Sequence, residues 1–346
     1  MSVSGQVHER FMREALNLAR RGLGLTRPNP PVGAVIVKQK KIVGEGWHRK
    51  AGGPHAEVEA LRNCSVNPKN ATIYITLEPC STHGRTPPCT EAILKAGIRR
   101  VVVSVNDPNP AHAGRGIRLL KKAGLEVETG CCEAEGRYLI APFAKWVTTG
   151  MPYVRLKLAM TLDGKIADRE GSSKWITGKA ARERVHQLRR EADAVMVGAG
   201  TVLADNPSLF PRPALGRKPY RVVLTGRRKL PPGLKIHDPK YADRTILTFS
   251  SATDPRRVPL RRTLDRLGKK GILQVLCEGG GGLADTLIQQ EDVDEYFFFI
   301  APKIIGGAKS IPVVGGQGCL LKEAWGLKID EVKTLGDDIM IRARPK

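Results

Sequence analysis

The chain has 346 residues, long for one domain and comfortable for two, and its 41% apolar content is ample for real cores. The net charge of +23 is spread, with 22 Lys and Arg against 12 Asp and Glu in residues 1–150 and 35 against 22 in the rest. No apolar run nears the roughly 20 residues of a membrane span, Met1–Arg13 lacks a secretory stretch, and 5% aromatic content with no basic tail argues against a nucleic-acid footprint. Phe11, Ala15, Leu18 and Ala19 then predict an amphipathic helix over residues 7–21. Val32–Val37 and Lys41–Gly46 read as a strand pair, His55–Arg62 as a helix and Thr72–Thr76 as a strand. Thr90–Ala96 is a helix stopped by Gly97, followed by strand Arg100–Val105, helix Ile117–Ala123 and strand Leu125–Thr129. Alternating β and α elements predict a three-layer α/β/α domain.

Arg137–Met151 reads as a closing helix, and Thr148-Thr149-Gly150 as a boundary that divides the chain into 1–149 and 150–346. The second part predicts strands at Tyr153–Leu158, 194–197, 220–224, 245–249, 272–277 and 295–300, with a helix over 179–191. Residues 209–218 and 229–243 are Pro- and charge-rich loops.

One constellation carries chemistry. His55-Ala-Glu57, Glu78-Pro79-Cys80 and Pro87-Pro88-Cys89 supply one imidazole and two thiolates, three protein ligands for Zn2+ with the fourth position left for water. Glu57, two residues past the histidine, can move protons without binding the metal, the division of labour of the zinc deaminases. Eight residues separate the cysteines where two are usual, and His83, Arg85 and Thr86 lie among them. The alternative is a structural zinc site with His83 as fourth ligand, which would leave Glu57 without a purpose. Seven cysteines, an odd number, fit a reducing compartment, so a cytoplasmic location is expected. Cys64, Cys131, Cys132, Cys277 and Cys319 are read as packing residues.

Further motifs sharpen the reading. Asn29-Pro30-x-Val-Gly, Gly46-x-His48, His55-Ala-Glu57-Val58, Leu77-Glu78-Pro79-Cys80, Gly84-Arg85-Thr86-Pro87-Pro88-Cys89 and Asp107-Pro108-Asn109-Pro110 follow one another in the first half. In the second, Lys157 to Ala167, Ser172 to Thr177, His186 to Arg190 and Gly200 to Leu209 form four ordered runs. Over nearly its whole length the chain resembles the bifunctional riboflavin-biosynthesis deaminase–reductases. The resemblance implies a cytidine-deaminase-like domain followed by a dihydrofolate-reductase-like α/β domain. It also implies a phosphorylated pyrimidine substrate, one Zn2+ per chain, NADPH, and a homodimer or homotetramer.

It further implies that Asn29, His48 and Arg85 contact substrate in the deaminase. Ser173, Arg189, Leu209, Arg212 and Glu278 would bind the ribose phosphate in the reductase, and Ala159, Trp175, Thr201 and Asp205 the nicotinamide cofactor. Cys277-Glu278-Gly279-Gly280-Gly281-Gly282, between a strand and a helix, suits a cofactor phosphate, because glycines let backbone N–H groups approach. Gly280, Gly281, Gly282, Leu283, Ala284, Asp285 and Thr286 are the expected contacts there; taken alone, the run is equally a strand–helix turn.

Two departures from the family pattern stand out. Thr82 occupies a position where His is usual, and Thr225-Gly226 replaces a common Asp-Ser, with Arg227 and Arg228 after it able to meet a 2′-phosphate. Two rival readings stay open: a nucleic-acid deaminase, from the charge, and a single-activity deaminase whose second half is not catalytic.

Overall fold

The computed structural model describes residues 3–84, 86–213, 217–249 and 260–346. It divides into two compact units, Met1–Gly150 and Met151–Lys346. In the first, α1 (Val3–Arg20) precedes β1 (Gly33–Lys38), β2 (Lys41–Trp47), α2 (Ala56–Arg62), β3 (Thr72–Leu77) and α3 (Cys89–Lys95). There follow β4 (Arg100–Val105), α4 (Arg115–Lys122), β5 (Glu126–Thr129) and α5 (Glu133–Thr149). The sheet order is β2-β1-β3-β4-β5, with β1 antiparallel to both neighbours and β3, β4 and β5 parallel.

Strand periodicity explains the layers, since successive side chains point to opposite faces. Ala34, Ile36, Ile73, Ile75, Val101 and Val103 pack on one face against Ala56, Ala60, Ile93 and Leu120 of α2, α3 and α4. The intervening Val35, Val37, Tyr74 and Val102 pack on the other against Phe11, Met12, Ala15 and Leu16 of α1. Both faces are thus covered, as parallel strands require.

The second unit runs β6 (Tyr153–Thr161), β7 (Lys165–Ala167), α6 (Lys179–Glu191), β8 (Ala194–Gly198), α7 (Ala199–Asp205), β9 (Tyr220–Gly226) and β10 (Thr245–Phe249). Then come α8 (Leu260–Lys269), β11 (Gln274–Cys277), α9 (Gly281–Gln289), β12 (Glu295–Ala301), β13 (Ile311–Pro312), β14 (Leu327–Leu335) and β15 (Asp338–Pro345). The main sheet is ordered β10-β9-β8-β11-β6-β12-β15-β14. The first six strands are parallel, and the β14–β15 hairpin closes the sheet antiparallel. Helices α8 and α9 cover one face through Leu260, Leu264, Ala284 and Leu287. The other face is covered by α6, against Leu276, Phe297 and Phe299, and by α7, whose Val202 packs with Val195 and Val197.

Three expectations are corrected. Helix α5 begins at Glu133, four residues before Arg137, because Glu133 and Glu135 fill its first turn. The sheet continues past residue 300 into β14 and β15, where the sequence suggested no element. Of the five cysteines read as packing residues, Cys319 is exposed.

Candidate active sites

In the first unit His55 is the N-cap of α2 and Cys89 the first residue of α3, while Cys80 lies just past β3. Glycines let α2 sit close to the sheet. A β-carbon on Gly46 would come within 2.3 Å of Ala60 N and 2.4 Å of Ala56 O. Cys80 is fixed from its other side by Glu78, whose carboxylate accepts from the amides of Asp107, Gly114, Gly116 and Ile117 at 2.9–3.3 Å. The result is a convergence: His55 Nδ1 is 3.2 Å from Cys89 Sγ and 3.5 Å from Cys80 Sγ. The three ligand atoms lie within 4.8 Å of one another, the only such group among the described residues. This donor set fits zinc: two sulfurs and an imidazole are three of the four ligands of a catalytic zinc site.

The two thiols titrate as a pair. A hydrogen bond from Cys89 pulls Cys80 down to about 4, and the same contact with burial pushes Cys89 up. Glu57 is buried, and burial pushes its carboxyl up to about 7, with the nearby His55 opposing the shift. A carboxyl poised near neutrality suits general acid–base work.

His48 is also buried, and both its nitrogens are used. Nδ1 meets Pro54 O at 2.9 Å and so carries the proton, leaving Nε2 to accept from Asn29 Nδ2 at 3.0 Å. Asn29 Oδ1 is therefore the end of the amide left for a ligand. His83 is exposed and 3.9 Å from Glu91, outside the ligand cluster, so a structural four-ligand site is not formed. Arg85, expected at the substrate, lies outside the described residues. Asn109 Oδ1 accepts from Ala111 N, a local turn bond.

In the second unit, α7 follows β8 on one face and α9 follows the adjacent β11 on the other. A reversal of this kind opens a crevice at the carboxyl ends of the strands, where cofactors bind in doubly wound sheets. Thr201 and Gly280 meet there: a β-carbon on Gly280 would stand 3.7 Å from Thr201 Oγ1, and one on Gly282 would meet nothing within 4 Å. The residues of Gly280–Thr286 differ in how open they are. Gly281 packs under Gly315, whose amide donates to its carbonyl at 2.9 Å. Ala284 is fully buried in the core, and Leu283 packs against that core. Asp285 abuts Gly316, and the Thr286 hydroxyl donates back to Gly282 O. The side chains of Leu283, Ala284, Asp285 and Thr286 are thus engaged within the unit, while the space beside Gly282 is open.

Asp205 gathers two neighbours, Lys174 Nζ at 3.2 Å and Ser173 Oγ at 3.4 Å. Arg189 is not open to a ligand. Its Nε and Nη2 fork onto Glu278 at 2.5 and 2.8 Å, and Nη1 donates to Phe210 O. Burial raises the Glu278 carboxyl, but the charge and hydrogen bond of Arg189 outweigh it and hold Glu278 below the usual range. Leu209 has a left-handed φ of 60°, and its side chain is buried among Val195, Val197 and Val223, so only its backbone can meet substrate. Arg212 is exposed, its amide donating to His186 Nδ1. Ala159 is half-buried on β6. Trp175 is 65% exposed, lies 4.6 Å from the Arg182 guanidinium and lines an open cavity of about 660 Å³.

One residue escaped the sequence reading. Lys157, two residues after Arg155 on β6, is pushed down by burial and held up by Glu278 and Asp205, with Arg189 opposing them. A charged residue inside a strand buried on both faces is the signal that could have found it.

Comparison with known proteins decides the family. Residues 5–105 match the cytidine and deoxycytidylate deaminase zinc-binding region, and residues 152–341 the RibD C-terminal domain. The chain is 41% identical to the riboflavin biosynthesis protein RibD of Aquifex aeolicus, over 97% of this chain and 98% of that one. It belongs to the RibD family. Acinetobacter baumannii RibD, 39% identical, superposes with a TM-score of 0.88 over 99% of each chain. A diaminohydroxyphosphoribosylaminopyrimidine deaminase/5-amino-6-(5-phosphoribosylamino)uracil reductase from Thermotoga maritima, 36% identical, gives 0.90 over 99% of this chain and all of the other. As a RibD-family member, the chain is a bifunctional riboflavin-biosynthesis enzyme, with a zinc-binding deaminase region and a reductase domain that implies a nicotinamide cofactor. That removes the nucleic-acid and single-activity readings. None of the described helices is long and apolar enough to cross a membrane.

Proposed function

We propose that the first unit hydrolyses the 2-amino group of 2,5-diamino-6-(5-phosphoribosylamino)pyrimidin-4-one, and that the second reduces the ribosyl group of the product to ribityl with NADPH. The observation that carries this reading is the convergence of His55, Cys80 and Cys89 beside the buried Glu57. The name of the Thermotoga relative couples the same two activities. A cytoplasmic homodimer or homotetramer belongs to the same reading.

His55, Cys80 and Cys89 would hold Zn2+, which when bound supplies the Lewis acidity that makes water a nucleophile at neutral pH. Glu57 takes a proton from the attacking water and returns protons to the ring nitrogen and the departing amine, so the amino group leaves as ammonia and a carbonyl replaces it. Asn29, its amide held by His48, offers Oδ1 to a substrate donor.

In the reductase, Gly280, Gly282 and Thr201 would seat NADPH, which when bound supplies the hydride. Ser173, Asp205 and Lys157 would supply polar groups to the ribose around C1′. Arg212, exposed, is assigned to the substrate phosphate. Arg189 acts through Glu278, which it orients.

The test is Glu57→Gln. The variant is expected to keep about one zinc per chain and to oxidise NADPH normally on deaminated substrate. Ammonia release should fall roughly 10²- to 10⁴-fold, since an amide cannot shuttle protons. Metal analysis and the two half-reactions, assayed separately, check this. Normal ammonia release would overturn the role of Glu57, and no NADPH oxidation by wild-type protein would overturn the reductase assignment.

A further inference from the structure

The carboxyl ends of β8 and β9 lie side by side, Gly198 opposite Leu224, so the turn after β9 faces the start of α7. Arg228 sits in that turn, its amide donating to Thr225 O at 3.0 Å. Its guanidinium reaches across to α7: a β-carbon on Gly200 would stand 3.3 Å from Arg228 Nη1. Thr201 is the next residue, and it borders Gly280. Arg228, Gly200, Thr201 and Gly280 therefore form a row from the end of β9 to the glycine turn after β11.

This guanidinium differs from that of Arg189 at the same end of the sheet. The Arg189 fork is filled by Glu278, whereas no described residue accepts from or ion-pairs with the exposed Arg228 guanidinium. Thr225 and Gly226 complete the turn without a carboxylate. A planar, permanently charged fork with no acid beside it, at the lip of a cofactor crevice, matches a dianionic phosphate.

We propose that Arg228 binds the 2′-phosphate of the adenosine ribose and so makes the reductase selective for NADPH over NADH. This rests on the nicotinamide-cofactor reading given under Proposed function. The pyrophosphate of a dinucleotide sits on the glycine turn, and the ribose 2′ position is read from the end of a strand further out. Arg228 follows β9, two strands from β11, a lateral step of roughly 10 Å at the ordinary strand spacing. A pyrophosphate and its ribose together cover such a distance.

The test is binding without turnover. Wild-type protein and Arg228→Ala are titrated with NADPH and with NADH by calorimetry, in the absence of substrate. The loss of charge-assisted bonds predicts NADPH binding weaker by about 10- to 100-fold in the variant, with NADH within about twofold. Ammonia release by the variant should equal wild type, which reports that the chain is folded. Equal weakening of both dinucleotides would place Arg228 on the pyrophosphate and overturn the assignment, as would no weakening of either. Wild-type protein that binds NADH and NADPH equally would overturn this assignment alone; binding of neither would overturn the cofactor reading as well.

Discussion

Arg189 and Glu278 look alike in the sequence, as two polar residues in motifs that point to a phosphorylated substrate. Folded, they are one buried unit, with side chains 13% and 10% exposed and a two-pronged hydrogen bond between them. Removing one partner of such a pair strands the other charge, which costs about 3–5 kcal/mol. Glu278→Ala is accordingly expected to lower the melting temperature of the second unit markedly, as well as its reductase activity. Calorimetric melting checks it. A variant that melts as wild type yet loses reductase activity would make Glu278 a substrate contact with no bracing role. Residues that act through short spacing were the legible ones. His55 and Glu57 share one helical turn, and each cysteine follows a proline at an element boundary, so the sequence alone places them near one another. Lys157 and the Arg189–Glu278 pairing were not legible, because partners 89 residues apart meet only once β11 is laid beside β6 and β8.

Elements with strong periodicity were read well for the same local reason. In β1, β3 and β4 a mainly apolar run signals burial on both faces, and the run length sets the strand. The β14–β15 hairpin gives no such signal. β14 carries Lys328, Asp330, Glu331 and Lys333 and β15 carries Arg342 and Arg344, and Arg344 and Arg342 pair with Asp330 and Glu331 at 2.6 and 3.1 Å. An edge strand rich in charge protects a sheet from pairing with other chains, and it hides the strand from an apolar-pattern reading. Helix α2 illustrates how an element positions chemistry. Gly44 and Gly46 on β2 admit its backbone, and α2 carries Glu57 while His55 caps it. A methyl on Gly46 has nowhere to go, being aimed at the backbone of Ala56 and Ala60 rather than at a flexible side chain. Gly46→Ala is expected to push α2 outward at a cost of about 1–3 kcal/mol. Zinc should then be lost to a chelator faster than from wild type, while NADPH binding stays unchanged. Chelator competition with an absorbance readout checks the first, and unchanged zinc retention would mean that α2 shifts without moving His55.

At the scale of the molecule, +23 is carried without a basic tail in the sequence, and acids are close at hand for many of the arginines, from Glu126 with Arg99 and Arg100 to Glu295 with Arg155 and Arg342. Such pairing uses acids to brace individual arginines, while 57 Lys and Arg against 34 Asp and Glu leave the excess spread over both halves. The two units also keep their cores to themselves. The first closes its sheet with α1 to α5, and every member of the second unit's buried clusters falls within residues 151–346. Six parallel strands covered by helices on both faces form a core large enough to fold unaided. The residues assigned to the nicotinamide cofactor, Thr201, Gly280, Gly282 and Arg228, all lie in that unit. Residues 151–346 expressed alone should therefore melt cooperatively and bind NADPH within a few-fold of the full chain. They should still oxidise NADPH when given deaminated substrate, and release no ammonia from its precursor. Differential scanning calorimetry and dinucleotide titration check the first two expectations, and the separated half-reactions the others. A fragment that folds but binds no NADPH would show that the cofactor site needs residues from the first unit, and the assignment of the crevice between β8 and β11 would then have to be extended beyond this unit.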